Sequence, residues 1–151
     1  MRKKLAVLVL LVVGLTIGGP WAATAAPLTP QTFNVTLLPS GDSDGSGTAE
    51  VTLDLRTGTV CYDISVTGVD APTEPAPGLG NAHIHDFASG GGIAVDLETS
   101  FTLMGGSYVA DGCVTVRKRS ELVEILLHPE DYYVNVHTAT YPGGAVQGFL
   151  G

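Results

Sequence analysis

Alternation of apolar and polar residues governs the chain from residue 31 onward. In TFNVTLL, at residues 32–38, apolar side chains occupy every second position, and AEVTLDL, at 49–55, and VCYDISV, at 60–66, repeat the pattern. A period of two places alternate side chains on one face of a β-strand. The turn RTGT, at 56–59, separates the last two segments, so we predict a β-hairpin with one buried face.

Short strands separated by turns continue to the end of the chain. They follow a loop rich in proline and glycine at residues 70–81, and they are predicted at 82–87, 93–97, 112–116, 132–138 and 145–150. Because helical crossovers are missing between these strands, a parallel sheet is excluded. The predicted fold is therefore all-β: an antiparallel β-sandwich or barrel with one short helix.

The segment SELVEILLH, at residues 120–128, predicts that helix. Its apolar residues are contiguous, Ser120 is a candidate N-cap, and Glu121 places negative charge at the positive end of the helix dipole. Pro129 follows and ends the helix.

The first 25 residues have the composition of a secretory signal peptide. A basic start, MRKK, precedes a largely apolar run at residues 5–19, and small residues follow at Ala23 and Ala25. The run is short for a transmembrane helix, which needs about 20 residues. We predict a signal peptide at 1–25 and a mature domain at 26–151 that is secreted to the extracellular space or cell envelope, without membrane insertion after cleavage. A retained amino-terminal anchor is the alternative.

Charge and cysteine content narrow the functional classes. Removal of residues 1–25 leaves four basic residues against fifteen acidic ones, a formal net charge of −11, which argues against binding to nucleic acid or to anionic membranes. In an oxidising compartment Cys61 and Cys113, the two cysteines, are expected to form a disulfide, with unlinked core thiols as the alternative. Cys61 lies off the main apolar face of its strand, so its partner is expected on a covering segment or a neighbouring edge.

Two histidines lie one residue apart in the predicted strand AHIHDF. Residues two apart on a strand share a face at about 6.5–7 Å, so His83 and His85 can reach one ion while Ala82 and Ile84 face the core. If the strand that carries His137 is a neighbour, His137 becomes a third imidazole. Three imidazoles suit zinc, and copper also favours nitrogen ligands, so the candidate cofactor is copper or zinc.

These residues also allow interpretations without a metal. His83 and His85 can hydrogen-bond to backbone groups and hold the proline loop, while His137 pairs with an aromatic residue on another strand. The glycines at 90–92 can also shape a small ligand groove against Phe87 and the histidines.

The segments TGTVCYDISV, AHIH, CVTV and YYVNVHTATYPGGAVQGFL, in this order, resemble the CHRD domain family. The resemblance covers nearly all of the mature chain. It implies a β-sandwich of immunoglobulin-like or superoxide-dismutase-like shape with no settled biochemical activity. The function expected from it is that of an exported binding or structural module, with an unidentified protein or glycan as partner.

The segment HIHDF further resembles the copper-binding strand of copper-zinc superoxide dismutase, which implies His83 and His85 as copper ligands and His137 as a later one. The resemblance is incomplete, because the histidine-rich zinc loop of that enzyme has no counterpart and no arginine follows His137. The sequence therefore favours a binding or structural module over an enzyme, with a dismutase-like copper domain as the alternative.

Overall fold

Nine strands and one short α-helix make up residues 29–151, the part of the chain that the computed structural model describes. The strands are β1 Gln31–Pro39, β2 Ser46–Asp54, β3 Thr59–Thr67, β4 Ala82–Asp86, β5 Gly92–Asp96, β6 Thr102–Met104, β7 Ser107–Thr115, β8 Tyr132–Val136 and β9 Val146–Phe149. The predicted signal peptide at 1–25 lies outside the described residues. Within them, no helix has the length and apolar character needed to cross a membrane.

The strands form one antiparallel sheet in the order β5-β4-β8-β9-β1-β2-β3-β7-β6, curled into a half-barrel. Strand β1 joins the two halves of the sheet, because residues 31–37 pair with β2 whereas Leu38 and Pro39 pair with β9. This confirms the all-β antiparallel prediction. The predicted hairpin is also confirmed, since β2 and β3 pair along their whole length.

The concave face of the sheet carries the hydrophobic core. Apolar side chains of both halves are fully buried there, among them Leu37, Val51, Leu53, Val60, Ile64, Val66, Ile84, Val134 and Val136. Burying one such side chain stabilises the folded state by about 1.5–3 kcal/mol relative to leaving it exposed. The opposite face of β5, β4, β8 and β9 points away from this core and carries polar side chains. It is called the outer face below.

Helix α1, Arg119–Leu127, begins two residues earlier than an N-cap at Ser120 predicts. Its N-cap is Lys118, which makes no capping hydrogen bond through its side chain, so the assignment of Ser120 as N-cap was wrong. Glu121 does lie in the first turn, and a short 3-10 helix, Pro129–Asp131, follows the α-helix. Leu122 and Ile125 anchor the helix in the core.

A disulfide joins Cys61 on β3 to Cys113 on β7, as predicted. The two residues face each other in the antiparallel register, so the partner lies on the neighbouring strand. Cys61 is half-buried and Cys113 is exposed, which places the bond on the solvent side of the sheet.

Candidate metal centre

Strands β4 and β8 pair side by side, which satisfies the condition on which the third histidine depended. In their register His83 lies opposite Asn135, and His85 lies opposite Tyr133. Strand alternation sends these four side chains to the outer face, while Ile84 points into the core.

His137 directly follows the last residue of β8. Its backbone N–H donates to the carbonyl of Asn81, and its carbonyl accepts a hydrogen bond from the N–H of Thr73. Both partners lie at the ends of the proline-rich loop. The third imidazole is therefore held beside the other two by the same contacts that anchor this loop.

The three imidazoles form a buried cluster. His83 is 0 %, His85 8 % and His137 3 % exposed. One ring nitrogen from each lies within 4.8 Å of the others, and His83 Nδ1 is 3.0 Å from His137 Nε2. In a tetrahedral site two nitrogens at 2.0–2.1 Å from one ion are about 3.4 Å apart, so closure around an ion requires the most distant nitrogens to approach by up to about 1.4 Å.

Backbone carbonyls fix the protonation of two of these rings. His85 Nδ1–H donates to the carbonyl of Gly91 at 2.8 Å, and His137 Nδ1–H donates to the carbonyl of Pro142 at 3.0 Å. Gly91 has a φ of 86°, a conformation open to glycine but strained for other residues, and it brings its carbonyl back over β4. A neutral ring that is protonated on Nδ1 keeps the lone pair on Nε2, which is the form that binds a metal.

His83 lies between His137 on one side and Asp96 on the other. Its Nε2 is 3.6 Å from Asp96 Oδ1 and has no hydrogen-bond partner among the described residues. The Asp96 carboxylate is itself held by the backbone N–H groups of Gly80 and Glu98. The neutral ring of His83 carries one proton, which can lie on Nδ1, facing His137, or on Nε2, facing Asp96.

Burial favours the neutral form of His83 and His137. Desolvation lowers the pKa of His83 from 6.5 to about 4, with His137 and His85 adding repulsion and Asp96 opposing it. Desolvation likewise lowers the pKa of His137, against the hydrogen bond to Pro142. Neutral imidazoles are the species that bind metal ions, so the lowered pKa values of His83 and His137 favour metal binding at neutral pH.

The sequence of the protein matches the model of the CHRD domain over residues 24–150. The chain belongs to the CHRD domain family. No curated protein and no solved structure matches it. The match covers the sheet, the helix and the three clustered histidines of the CHRD domain.

A cavity of about 450 Å³ opens over the three clustered histidines of the CHRD domain. Tyr133 forms part of its wall and stacks on His85, with ring centroids 5.2 Å apart and an interplanar angle of 15°. The ring of His137 packs against His83 and His85 and not against a tyrosine or phenylalanine among the described residues, so the predicted aromatic pairing of His137 was wrong. Gly90 and Gly91 line the cavity, as the groove interpretation required, whereas Phe87 is 62 % exposed and packs edge-on against Phe149.

Sequence reasoning missed Asp96 and Asn135 as parts of the site. Both lie opposite His83 in the sheet, on β5 and β8 respectively. Their contribution depends on strand register, which the alternation of apolar residues does not specify when the partner strand is unknown.

We expect the metal-free CHRD domain to lose stability as the pH falls from about 6.5 to about 4. In that window the unfolded chain has already protonated His83, while the folded chain still holds it neutral. Titration of His83 leaves the free energy of unfolding unchanged above pH 6.5 and lowers it by about 3 kcal/mol by pH 4. Urea unfolding at about pH 7, 5.5 and 4.5 measures the loss.

The matched variant for this prediction is His83→Gln. Its amide N–H can replace the ring N–H as a hydrogen-bond donor, but it does not titrate. The carboxylates of the two proteins titrate alike, and the variant lacks only the titration of His83. Its stability should therefore depend less steeply on pH than that of the wild type. Equal slopes in the two proteins would contradict the lowered pKa of His83.

Proposed function

We propose that this CHRD domain binds a single copper or zinc ion through Nδ1 of His83, Nε2 of His85 and Nε2 of His137. The observation that carries the proposal is the convergence of three buried imidazoles whose ligand atoms lie within 4.8 Å of one another. Three nitrogen ligands leave a coordination position open toward the cavity, as in sites that bind a further ligand. The ion would act there as a Lewis acid.

Unsatisfied ring nitrogens support the proposal. His83 Nε2 and His85 Nε2 are buried without a hydrogen-bond partner among the described residues, and a buried polar atom left in this way costs about 1–3 kcal/mol. Both deficits would be removed on metal binding. His85 would bind the ion through Nε2, and His83 would bind it through Nδ1 while its Nε2–H faces Asp96.

The neighbours of the histidines have the arrangement that metal-bound imidazoles need. Ligating histidines almost always donate their second N–H to a carbonyl or carboxylate, which orients the ring and raises its basicity. Gly91, Pro142 and Asp96 supply two carbonyls and one carboxylate, one for each ring.

Replacement of Asp96 by asparagine is expected to weaken metal binding about 10- to 100-fold, the usual effect of losing such a partner. The asparagine oxygen can still accept from Gly80 and Glu98, so the loop geometry should persist. Isothermal titration with zinc compares this variant with Asp111→Asn, which removes an exposed carboxylate of equal charge on β7. Equal affinities in the two variants would show that Asp96 does not support His83.

Metal content tests the proposed function itself. The mature chain, purified without a tag, is incubated with copper and zinc, desalted and analysed by elemental mass spectrometry. We expect close to one ion per chain. Absence of retained metal would reject the proposal and direct attention to a protein or glycan partner at the exposed pair Phe87 and Phe149.

The proposed setting of the CHRD domain is outside the cell, after cleavage of the signal peptide at 1–25. The disulfide and the family suit an extracellular protein. We propose binding and not superoxide dismutation, because the residues that line the cavity include no arginine or lysine to attract an anion, and the mature chain carries a net charge of −11.

A further inference from the structure

The ring nitrogens proposed to bind the ion are covered in the structure. Less than 1 Å² of His85 Nε2 is accessible to solvent, and His83 Nδ1 and His137 Nε2 face each other at 3.0 Å. An ion from solvent therefore reaches all three nitrogens only if part of the cavity wall moves. Many proteins meet this requirement with a loop that opens and closes over the site.

Residues 74–79 of the proline-rich loop form one wall of the cavity over the histidines. Three of their side chains line it: Pro75, Ala76 and Leu79. At one end of the segment the N–H of Thr73 donates to the carbonyl of His137. At the other end the N–H of Gly80 donates to the carboxylate of Asp96. This wall is therefore attached to the rest of the domain at its two ends.

Between these anchors the segment makes hydrogen bonds only with itself, within the part of the chain that the structure describes. The N–H of Leu79 donates to the carbonyl of Ala76, and the N–H of Gly78 donates to the carboxylate of Glu74. Two of the six residues are prolines, which restrict the backbone. The segment therefore has the construction of a stiff flap that moves as a unit about its anchors.

The other walls of the cavity are bound to the sheet. They belong to strands β4, β5 and β8 and to two turns that hydrogen-bond to these strands. In one turn the carbonyl of Gly91 accepts from His85 Nδ1, and in the other the carbonyl of Gly143 accepts from Asn135 Nδ2. Movement of residues 74–79 breaks none of these bonds, so it is the least costly way to expose the histidines.

We propose that the segment 74–79, called the lid below, opens to let an ion pass between solvent and the histidines and then closes over it. The role of the lid as a gate for an ion rests on the proposed metal site, whereas its opening is measurable without a metal. Because the same movement precedes entry and release, the lid changes the two rates by one factor and leaves the affinity unchanged.

Gly78→Ala disfavours the closed lid without touching the cavity. The φ of Gly78 is 84°, and apart from its chain neighbours no atom lies within 4 Å of the position that a Cβ would occupy. An alanine there has space but is strained in this left-handed conformation. Gly106→Ala is the matched control, because this glycine in the turn between β6 and β7 has a φ of 92° and equally open surroundings.

The first test measures opening in the chain freed of metal by a chelator. Diethyl pyrocarbonate acylates the neutral imidazole nitrogens that it can reach, and peptide mass spectrometry measures the rate at each histidine. His128, whose side chain is 56 % exposed, is the reference within the same chain. We expect His85 to react more slowly than His128 in the wild type. Gly78→Ala should raise the ratio of the two rates about fivefold, as strain of this size allows, and Gly106→Ala should leave it unchanged.

The second test measures exchange of the ion. The wild type and both variants are loaded with zinc, and its release to an excess of a coloured chelator is followed by absorbance. Stopped-flow mixing of the metal-free chains with zinc gives the rate of binding. We expect Gly78→Ala to raise both rates about fivefold and to leave the dissociation constant unchanged.

The outcomes separate the lid from the proposed function. Equal rates at His85 and His128 in the wild type overturn the lid, because the site is then already open. An unchanged ratio in Gly78→Ala, or an equal rise in both variants, also overturns it.

If the wild type binds no zinc, the proposed function and the gating of an ion are both wrong, and the modification of His85 alone decides whether the lid opens. A raised modification ratio in Gly78→Ala with unchanged rates of zinc exchange would overturn the role of the lid as a gate.

Discussion

Replacing His83 and His137 together with alanine is expected to reduce retained copper or zinc from about one ion per chain to less than about a tenth. The double variant keeps one of three ligands. Loss of a hydrogen-bonding partner outside the ligand set already costs 10–100-fold in affinity, so removal of two ligands should cost at least about 1,000-fold. Elemental mass spectrometry after desalting measures the retained ion, and zinc titration measures the change in affinity.

His128→Ala provides the matched control for this variant. It removes a histidine whose side chain is 56 % exposed and which lies outside the cluster, so metal retention should be unchanged. Wild type and control should also gain stability toward urea when metal is added, because an ion that binds the folded state alone stabilises it. Undiminished metal in the double variant would place the ion elsewhere and contradict the site.

Loss of two buried imidazoles can also destabilise the sheet, so His85→Gln is measured beside the double variant. Glutamine retains an amide that can donate to the carbonyl of Gly91, as His85 does. Circular dichroism distinguishes an intact sheet that has lost its ion from an unfolded chain. Together the variants separate the loss of a ligand from the loss of the fold.

The face of each histidine follows from sequence alone, because strand alternation depends only on a period of two. Ile84 had to face the core, so His83 and His85 had to face away from it. Their proximity to His137 depends on the pairing of β4 with β8, which the alternation of residues within each strand does not specify. The partner carbonyls of Gly91 and Pro142 come from loops, whose conformation depends on tertiary contacts.

The same division applies to the fold. Alternating apolar residues predicted the hairpin of β2 and β3 and its buried face, because burial of one face is a local requirement repeated along the strand. The predicted N-cap of helix α1 was two residues too late, because serine is a favoured N-cap residue while the backbone becomes helical at Arg119. Cap preferences are weak beside the packing of Leu122 and Ile125 in the core.

Removal of the disulfide is expected to lower the free energy of unfolding by about 4 kcal/mol. The bond closes a loop with a sequence separation of 52 residues, and the loop-entropy model gives this value for a loop of that size. Cys113 is exposed and Cys61 half-buried, so Cys61→Ser with Cys113→Ser disturbs little packing. Urea unfolding of the double variant at neutral pH measures the difference.

A reducing agent provides the internal control for the disulfide prediction. It should lower the unfolding midpoint of the wild type toward that of the serine variant and leave the variant itself unchanged. Because β3 and β7 lie in the half of the sheet without the histidines, the folded variant should still retain about one metal ion per chain. A variant as stable as the wild type would show that the hydrogen bonds between β3 and β7 hold these strands without the covalent link. Loss of metal from the folded variant would instead reveal coupling between the two halves of the sheet, which their separation in the strand order argues against.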